Sequence, residues 1–301
     1  MAALPKSRDA LVAEGWALVA QTPAPVSQLK DATLHALIAE CNALIEQAAA
    51  RVRTVHHFAC SGGTIMSRCL AAQPNAFLLS EIDPLSQIGM KNPARFTPTD
   101  LLFHARQVPR ELSQGSVLRV FLAGVRSLLE ELSAGGQNLI LRDHAHSMFC
   151  TGVEPEGRPS LREILTQDLR VLSVVTVRHP LDAFLGLVTA DWRHFNPFTL
   201  EEYARRMVLF LDRHHGVPVV KYEDFTTDPE KVLRTVCTYL DLHFDLGSID
   251  INDLFQLSGD SGRRGVKIAP RPRRPVPPEV EAQRDNSPSY QDLCRRLKYA
   301  P

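Results

Sequence analysis

The sequence predicts an α/β fold of three layers, in which helices cover both faces of a central parallel sheet. Five short apolar segments rich in β-branched residues are typical of strands, and most of them are separated by helical segments. This alternation favours a parallel sheet, whose strands are buried on both faces. Composition agrees, because 44% of the 301 residues are apolar and 23% are charged, which suits one large core.

The first 50 residues are expected to form a helical N-terminal extension. Apolar side chains recur on one helical face, at Leu34, Leu37, Ile38, Cys41, Leu44, Ile45 and Ala48. The α/β core is expected to span residues 51–267. Gly, Pro and Arg are frequent after residue 258, so residues 268–301 are expected to form a Pro/Arg-rich C-terminal arm with a short helix packed on the core.

The five strands predicted for the core are TVHHFA (54–59), AFLLS (76–80), NLILRD (138–143), VLSVVTVR (171–178) and VPVVKY (217–222). A helix is predicted directly after the first strand, over TIMSRCLAA at 64–72. Three later helices begin with a Ser or Thr followed three residues on by Glu, which indicates a capping box: Ser160 with Glu163, Thr199 with Glu202, and Thr227 with Glu230.

Charge and cysteine content exclude several classes of protein. Lys plus Arg equals Asp plus Glu at 34 each, so we expect no nucleic acid and no anionic membrane as a partner. The six cysteines lack CxxC pairs, which indicates thiols in a reducing compartment. The sequence contains no secretory leader pattern and no apolar run of membrane-spanning length. We therefore expect a cytoplasmic protein without a transmembrane segment.

The stretch Ser61-Gly62-Gly63-Thr64 lies between the first strand and the helix that follows it. Backbone N–H groups and two hydroxyls gathered at a helix N-terminus favour a bound anion, so this turn is a candidate phosphate site. An ordinary strand-to-helix turn is the alternative. The Walker A pattern with its lysine is missing, which argues against a conventional ATPase or GTPase.

A second candidate anion contact is Arg178, at the end of the fourth predicted strand. The carboxyl ends of parallel strands face the crevice where open α/β sheets bind ligands, and a guanidinium group matches a phosphate. The alternative is a local salt bridge with Asp182, in the first turn of the next predicted helix.

Together these segments resemble the sulfotransferases that use 3'-phosphoadenosine 5'-phosphosulfate (PAPS). The stretch from Cys60 to Thr64 is similar to the family's phosphosulfate loop, and RHPLDA at 178–183 is similar to its R-x-P-x-D-A motif. KYED at 221–224 resembles a strand end of the family, and GDSGRRG resembles its late R-K-G loop. The resemblance spans roughly residues 51–267 and implies a P-loop-containing nucleoside triphosphate hydrolase-like fold of the sulfotransferase type.

The resemblance also implies roles for individual residues. Ser61, Gly62, Gly63 and Thr64 would hold the 5'-phosphosulfate, Tyr222 would lie near the adenine, and the 3'-phosphate would be bound by Arg178, Arg263, Arg264 and Gly265. The co-substrate would be PAPS and the product adenosine 3',5'-bisphosphate. The acceptor would be a hydroxyl group of a small molecule, carbohydrate or lipid. The sequence leaves homodimer formation open.

Two residues are candidates for the base that takes the acceptor's proton. The stretch RDH at 142–144 resembles the family's K-T-H segment, which makes His144 the base and puts Arg142 beside the leaving group. An imidazole suits proton abstraction at neutral pH. Glu81 is the competitor, because its spacing from the Ser-Gly loop matches a catalytic glutamate in other sulfotransferases, and a partly buried carboxylate can do the same work. We favour His144.

The chain departs from the family pattern at three positions. Cys60 replaces the loop's Lys or Arg, Ile65 replaces a tryptophan, and Gly186 replaces a serine that binds phosphate. A neutral thiol cannot supply the charge of the missing side chain. A sulfotransferase-like nucleotide-binding protein without catalysis therefore stands as the alternative function, followed by a small-molecule kinase. Arg68, one helical turn after Thr64, is interpreted as a surface residue.

No metal is expected. His56 and His57 are adjacent on a strand and so point to opposite faces, and no set of ligands has zinc-like spacing. His214 at a predicted helix end is interpreted as a cation that offsets the helix dipole. The segment RPRRPVPP at 271–278 is expected to lie over the active site as a solvated arm.

Overall fold

The computed structural model describes residues 36–39, 50–88, 101–108, 110, 112–152, 155–257 and 268–301. Residues 36–39 form a turn of helix with exposed side chains. The rest of the predicted N-terminal helix lies outside the described residues, so the helical extension stays a prediction. Residues 51–301 form one compact unit.

The central sheet has five parallel strands in the order β2-β3-β1-β4-β5, which confirms the predicted α/β class. The strands are β1 (Val52–His57), β2 (Ala76–Ile82), β3 (Asn138–Asp143), β4 (Val171–Val177) and β5 (Val219–Lys221). Each of the five predicted segments overlaps one of them, although β1 begins two residues before its segment and β2 ends two residues after its segment. The predicted fifth strand ends one residue early, because Tyr222 already begins a helix.

The helices of the described residues lie between and after these strands. They are α1 (Gly63–Ala71), α2 (Leu101–Ala105), α3 (Gln114–Ala134), α4 (Ala145–Phe149), α5 (Leu161–Leu165), α6 (Pro180–Ala190), α7 (Leu200–Arg213), α8 (Tyr222–Thr227), α9 (Pro229–Tyr239), α10 (Gly247–Asp250), α11 (Pro278–Arg284) and α12 (Pro288–Leu297). None of these described helices is both long and apolar enough to span a lipid bilayer.

Of the three predicted capping boxes, one is complete and a second is half formed. Ser160 and Glu163 form the full capping box of α5, and Thr199 accepts a hydrogen bond from the N–H of Glu202 at the start of α7. The third prediction is wrong, because Asp228 and not Thr227 caps α9. Thr227 belongs to the preceding helix, where its hydroxyl donates to the carbonyl of Glu223.

Three apolar clusters hold the layers together. One centres on Phe58 of the β1–α1 connection and packs against Tyr203 and Phe210 of α7. The other two include Leu70 of α1 and Leu129 of α3, both almost fully buried. Burial of these large side chains on both faces of the sheet is what fixes the sheet between its helices.

The central strand β1 lies between β3 and β4. The chain leaves β1 toward β2 on one side and later crosses from β3 to β4 on the other, so the strand order reverses around β1. Ligands of open α/β sheets bind at the carboxyl ends of the strands beside such a reversal. The fold therefore directs attention to the residues that follow β1, β3 and β4.

Candidate active site

A cleft of about 540 Å³ opens at the carboxyl edge of the sheet. It brings together all of the predicted site residues that the structure describes: Ser61, Gly62, Gly63, Thr64, Glu81, Arg142, His144, Arg178 and Tyr222. Arg263, Arg264 and Gly265 lie outside the described residues, and their role in binding the 3'-phosphate stays a prediction.

The loop between β1 and α1 depends on its two glycines. Gly62 has a left-handed backbone (φ 82°), and a Cβ atom on it would lie 2.3 Å from the ring of Tyr222. A Cβ atom on Gly63 would lie 2.2 Å from the ring of His57. The side chain of Ser61 donates to the carbonyl of Phe58 at 2.7 Å and fixes the turn. Two rings thus pack directly on the backbone, and α1 begins without a side-chain cap.

Cys60 directly precedes the stretch Ser61 to Thr64 and has a left-handed backbone (φ 60°). A Cβ atom on Gly186 of α6 would lie 2.8 Å from Cβ and 3.1 Å from Sγ of Cys60. Gly186 is therefore required by the packing of Cys60. From the sequence, this glycine was interpreted only as the loss of a phosphate ligand. Contact between positions 60 and 186 cannot be inferred from the sequence, because the two residues are far apart along the chain.

Arg142, at the end of β3, is 5% exposed and holds the loop to two strands. Its Nε donates to Nε2 of His57 (2.8 Å), and its terminal nitrogens donate to the hydroxyls of Ser80 (2.8 Å) and Thr64 (3.1 Å). Its Nη1 also lies 2.8 Å from Oε1 of Glu81. Burial lowers the pKa of Arg142 and the Glu81 carboxylate opposes that shift, so the guanidinium stays charged beside the loop.

Glu81 and His144, the two candidate bases, are partners in one site. Oε2 of Glu81 lies 3.1 Å from Nε2 of His144, while Oε1 faces Arg142. The register of β2 against β3 shifts between Leu79 and Ile82, and Glu81 has a left-handed backbone (φ 59°). Such an irregularity re-aims a side chain at a strand end, and a strained non-glycine residue is common at functional sites. One carboxylate therefore bridges the candidate base and a cation.

Arg178 follows β4 and lies over the ring of Tyr222, with 4.9 Å between its Cζ and the ring centroid. Both residues line the cleft. The alternative interpretation, a salt bridge from Arg178 to Asp182, is wrong, because Asp182 accepts from Arg273 at 3.0 Å. Arg178 is thereby left facing the cleft beside Tyr222.

The residues of the KYED segment contact two different regions, the cleft and the last residues of the chain. Tyr222 lines the cleft, whereas Nζ of Lys221 donates to the carbonyl of Lys298 (3.1 Å). Glu223 accepts from the hydroxyl of Tyr299 (2.6 Å) and from the N–H of His179 (3.0 Å). Sequence reasoning missed this second role, since nothing in the motif indicates which distant segment its charged residues bind.

The C-terminal arm borders the cleft, as the sequence analysis expected of RPRRPVPP. Ile268, Ala269, Arg271 and Arg274 belong to the cleft wall. The arm is held to α6 by the ion pair between Arg273 and Asp182. Further along, α12 buries Tyr290 and Leu293 against the core.

Part of the cleft wall is aromatic, and it includes two residues of the segment 189–200, which the sequence had suggested for the acceptor pocket. Nε2 of His146 lies 3.1 Å from Nδ1 of His194, and the ring of Trp192 packs edge-on against His146 at 5.4 Å. Burial lowers the pKa of His146 to about 4, so this imidazole is neutral at physiological pH. Arg68 also lines the cleft and is 7% exposed, so its interpretation as a surface residue is wrong.

A second group of titratable side chains lies next to the cleft residues but is more deeply buried, and we call it the buried His–Asp–His cluster: His56, Asp143 and His214. Nδ1 of His56 lies 2.8 Å from Oδ2 of Asp143, its Nε2 lies 2.8 Å from the hydroxyl of Thr54, and its ring packs on His214. Burial raises the pKa of Asp143 to about 7 and lowers those of both histidines to about 3. The interpretation of His214 as a cation is therefore wrong.

The sequence contains no set of metal ligands with zinc-like spacing, but the buried His–Asp–His cluster brings three possible ligands together in space. One ligand-type atom of each member lies within 4.8 Å of the others, although the three residues are far apart in sequence. Hydrogen bonding between His56 and Asp143 already occupies two of these atoms. The expectation that the chain holds no metal stays a prediction.

Comparisons with known proteins gave a match in fold only. No protein-family model matches the chain, and no curated protein does. The sulfotransferase domain of the Synechococcus PCC 7002 olefin synthase aligns at 20% identity and a TM-score of 0.55, covering 83% of this chain and 95% of that one.

Two further solved structures align with lower TM-scores. The sulfotransferase domain of the curacin biosynthetic pathway has 16% identity, a TM-score of 0.48, and coverage of 82% of this chain and 97% of its own. A sulfotransferase from Alicyclobacillus acidocaldarius has 17% identity, a TM-score of 0.43, and coverage of 83% and 96%. Of these three structures, the olefin synthase domain has a TM-score above 0.5 and supports the assignment of a sulfotransferase type of α/β fold.

Proposed function

We propose that this chain, which has the fold of a sulfotransferase domain, transfers a sulfuryl group from PAPS to a hydroxyl acceptor. The observation that carries the proposal is the contact chain from Thr64 through Arg142 and Glu81 to His144. It joins a candidate anion loop to a candidate base within a single cleft. A sulfuryl transfer reaction needs both a cationic binding site for the leaving group and a base for the acceptor.

In this proposal the loop from Ser61 to Thr64 holds the 5'-phosphosulfate at the N-terminus of α1. The absence of a side-chain cap at Gly62 supports it, since uncapped N–H groups at a helix start favour an anion. Arg178 binds the 3'-phosphate together with Arg263, Arg264 and Gly265. Tyr222, which packs on Gly62 and under Arg178, lies beside the adenine.

The proposed mechanism is an in-line displacement at sulfur. The acceptor oxygen gives its proton to His144 and forms a bond to sulfur, while the bond from sulfur to the 5'-phosphate oxygen breaks. Glu81 accepts from Nε2 of His144, which leaves Nδ1 to take the proton and stabilises the imidazolium that results. Arg142 offsets negative charge on the leaving phosphate.

The chemical class of the acceptor is also part of the proposal. A hydroxyl group of a small molecule, carbohydrate or lipid would enter past His146, Trp192 and His194. We further propose the cytoplasm as the compartment, because Cys69, Cys150, Cys237 and Cys294 are buried thiols in the described part of the chain.

A thermal-shift comparison tests nucleotide choice. We expect adenosine 3',5'-bisphosphate to raise the unfolding midpoint and ADP to leave it almost unchanged, since a ligand stabilises in proportion to its affinity for the folded state. The reverse preference would contradict a sulfotransferase and favour a kinase. Turnover of labelled PAPS with a panel of hydroxylated metabolites, sugars and lipids then separates an enzyme from the alternative function suggested by Cys60, a nucleotide-binding protein without catalysis.

The change Arg178→Ala tests the nucleotide site directly. We expect it to weaken binding of adenosine 3',5'-bisphosphate by about 1.5 to 3 kcal/mol, the contribution of a hydrogen bond to a charged group. Isothermal titration calorimetry measures the effect. Arg295→Ala is the control, because Arg295 lies 74% exposed on α12 and pairs with Asp292. An affinity equal to that of the control would remove Arg178 from the site.

A further inference from the structure

The position of the missing loop lysine is flanked by an arginine from the C-terminal arm. The space beside Gly186 is shared by Cys60, whose Sγ would lie 3.1 Å from a Cβ atom on that glycine, and by Nη1 of Arg274, at 3.7 Å. Both side chains line the cleft. A guanidinium group therefore lies next to the residue from which the family's loop cation would extend.

The fold places Arg274 there through its neighbour in sequence. Arg273 pairs with Asp182 in the first turn of α6, with 3.0 Å between Nε and Oδ1. Nη1 of Arg274 approaches the carbonyl of Leu185, one turn further along the same helix, at 3.5 Å. A Cβ atom on Gly186 would be in ordinary van der Waals contact with this guanidinium, which therefore lies against α6 and beside Cys60.

A second cation at the loop would also help to offset the negative charge of the leaving 5'-phosphate, which Arg142 does not offset alone. The carboxylate of Glu81 lies 2.8 Å from Arg142, so this pair carries no net charge. The leaving 5'-phosphate gains negative charge as the bond to sulfur breaks. A preformed cation at that point stabilises the transition state more than the ground state.

We propose that Arg274 is a catalytic residue that replaces the loop lysine and binds the 5'-phosphate of the nucleotide from the C-terminal arm. This inference rests on the proposed function. As the acceptor oxygen bonds to sulfur and its proton passes to His144, the electron pair of the broken bond stays on the 5'-phosphate oxygen. Arg274 offsets that charge, and Arg273 with Asp182 positions it.

Single-phosphate nucleotides separate Arg274 from Arg178. We expect Arg274→Ala to weaken adenosine 5'-phosphate binding by roughly 10- to 100-fold and to leave adenosine 3'-phosphate binding unchanged. Arg178→Ala should give the opposite pattern. Each variant thus controls for the other, since both arginines line one cleft. Calorimetry of the full chain provides the readout, and circular dichroism checks that both variants fold.

Moving the charge back to the loop is the decisive test. In the double variant Cys60→Lys, Arg274→Ala, the cation extends from the loop, and we expect most of the lost affinity and PAPS turnover to return. Cys60→Lys alone should add much less, because Arg274 already serves the same phosphate. Non-additivity of this kind indicates that two residues act on one group.

The possible failures are distinguishable. If the unchanged chain binds no adenosine 3',5'-bisphosphate, the proposed function fails and the inference fails with it. If that binding is present but Arg274→Ala leaves adenosine 5'-phosphate affinity intact, only the inference is overturned. It is also overturned if Arg274→Ala weakens both single-phosphate nucleotides equally, because Arg274 would then not act at the 5'-phosphate.

Discussion

Two groups built from histidines and carboxylates lie close together at the ends of β1 and β3 and behave differently. In the cleft, the side chains of Glu81 and His144 are each 20% exposed. In the buried His–Asp–His cluster, those of His56 and Asp143 are 0% and 6% exposed. Side chains alternate along a strand, so Asp143 points away from the face that Arg142 presents to the loop.

The difference shows that residue type does not by itself make an active site. Glu81 lies 2.8 Å from the guanidinium of Arg142, and both residues line the cleft. Asp143 has no such contact, and burial raises its pKa to about 7, while both histidines of its cluster have pKa values lowered to about 3. The cleft group is therefore accessible to a ligand, whereas the buried cluster is enclosed and both of its histidines are neutral at physiological pH.

The largest expected effect is on turnover, from a substitution in the cleft group. We expect His144→Ala to lower turnover of PAPS by roughly 10²- to 10⁴-fold, the usual contribution of a general base, with binding of adenosine 3',5'-bisphosphate unchanged. Steady-state kinetics and calorimetry measure the two quantities. If His144→Ala keeps its turnover and Glu81→Ala loses it, the base is Glu81 and His144 only positions it.

The second prediction is a substitution in the buried cluster, which should lower the stability of the protein and leave turnover unchanged. We expect His56→Leu to lower the free energy of unfolding by about 2 to 3 kcal/mol, because it leaves the carboxyl of Asp143 buried without its hydrogen-bond partner. Urea denaturation measures it. His144→Ala serves as the comparison, and an equal loss of stability in both variants would contradict the division between the two groups.

The third prediction tests the comparison through the pH dependence of stability. The pKa of Asp143 rises from 3.8 to about 7 on folding, so its contribution to stability is complete below pH 4 and is lost as the pH rises through 7. Asn mimics the neutral acid at every pH. Asp143→Asn should therefore unfold at about the wild-type temperature near pH 4 and at a higher temperature at pH 8. A difference that stays constant from pH 4 to pH 8 would mean that Asp143 does not titrate in this range.

Much of the fold could be predicted from sequence, because local patterns determine it. The β-branched runs around Val55 and Val174 predicted buried parallel strands, and the Gly62–Gly63 turn predicted an uncapped helix start. The cleft residues of the motifs were found for a related reason. Parallel strands end at one edge, so residues that follow different strands come together there.

The contacts that were not predicted depend on long-range geometry. Glu81 reaches His144 only because β2 changes register near its end, and no propensity signals that shift. His214 lies in the connection after α7 and meets His56 through packing of α7 on the sheet. Arg274 approaches the loop from more than 200 residues away in sequence, and its neighbour Arg273 decides its position.

The shared space between Cys60 and Gly186 has an evolutionary consequence. A serine at 186, with its Cβ at 2.8 Å from Cβ of Cys60, could not be accommodated unless the loop backbone moved. The two positions are therefore epistatic, and among descendants of this chain we expect them to change as a pair, with the arm's arginine lost only where the loop regains a cation.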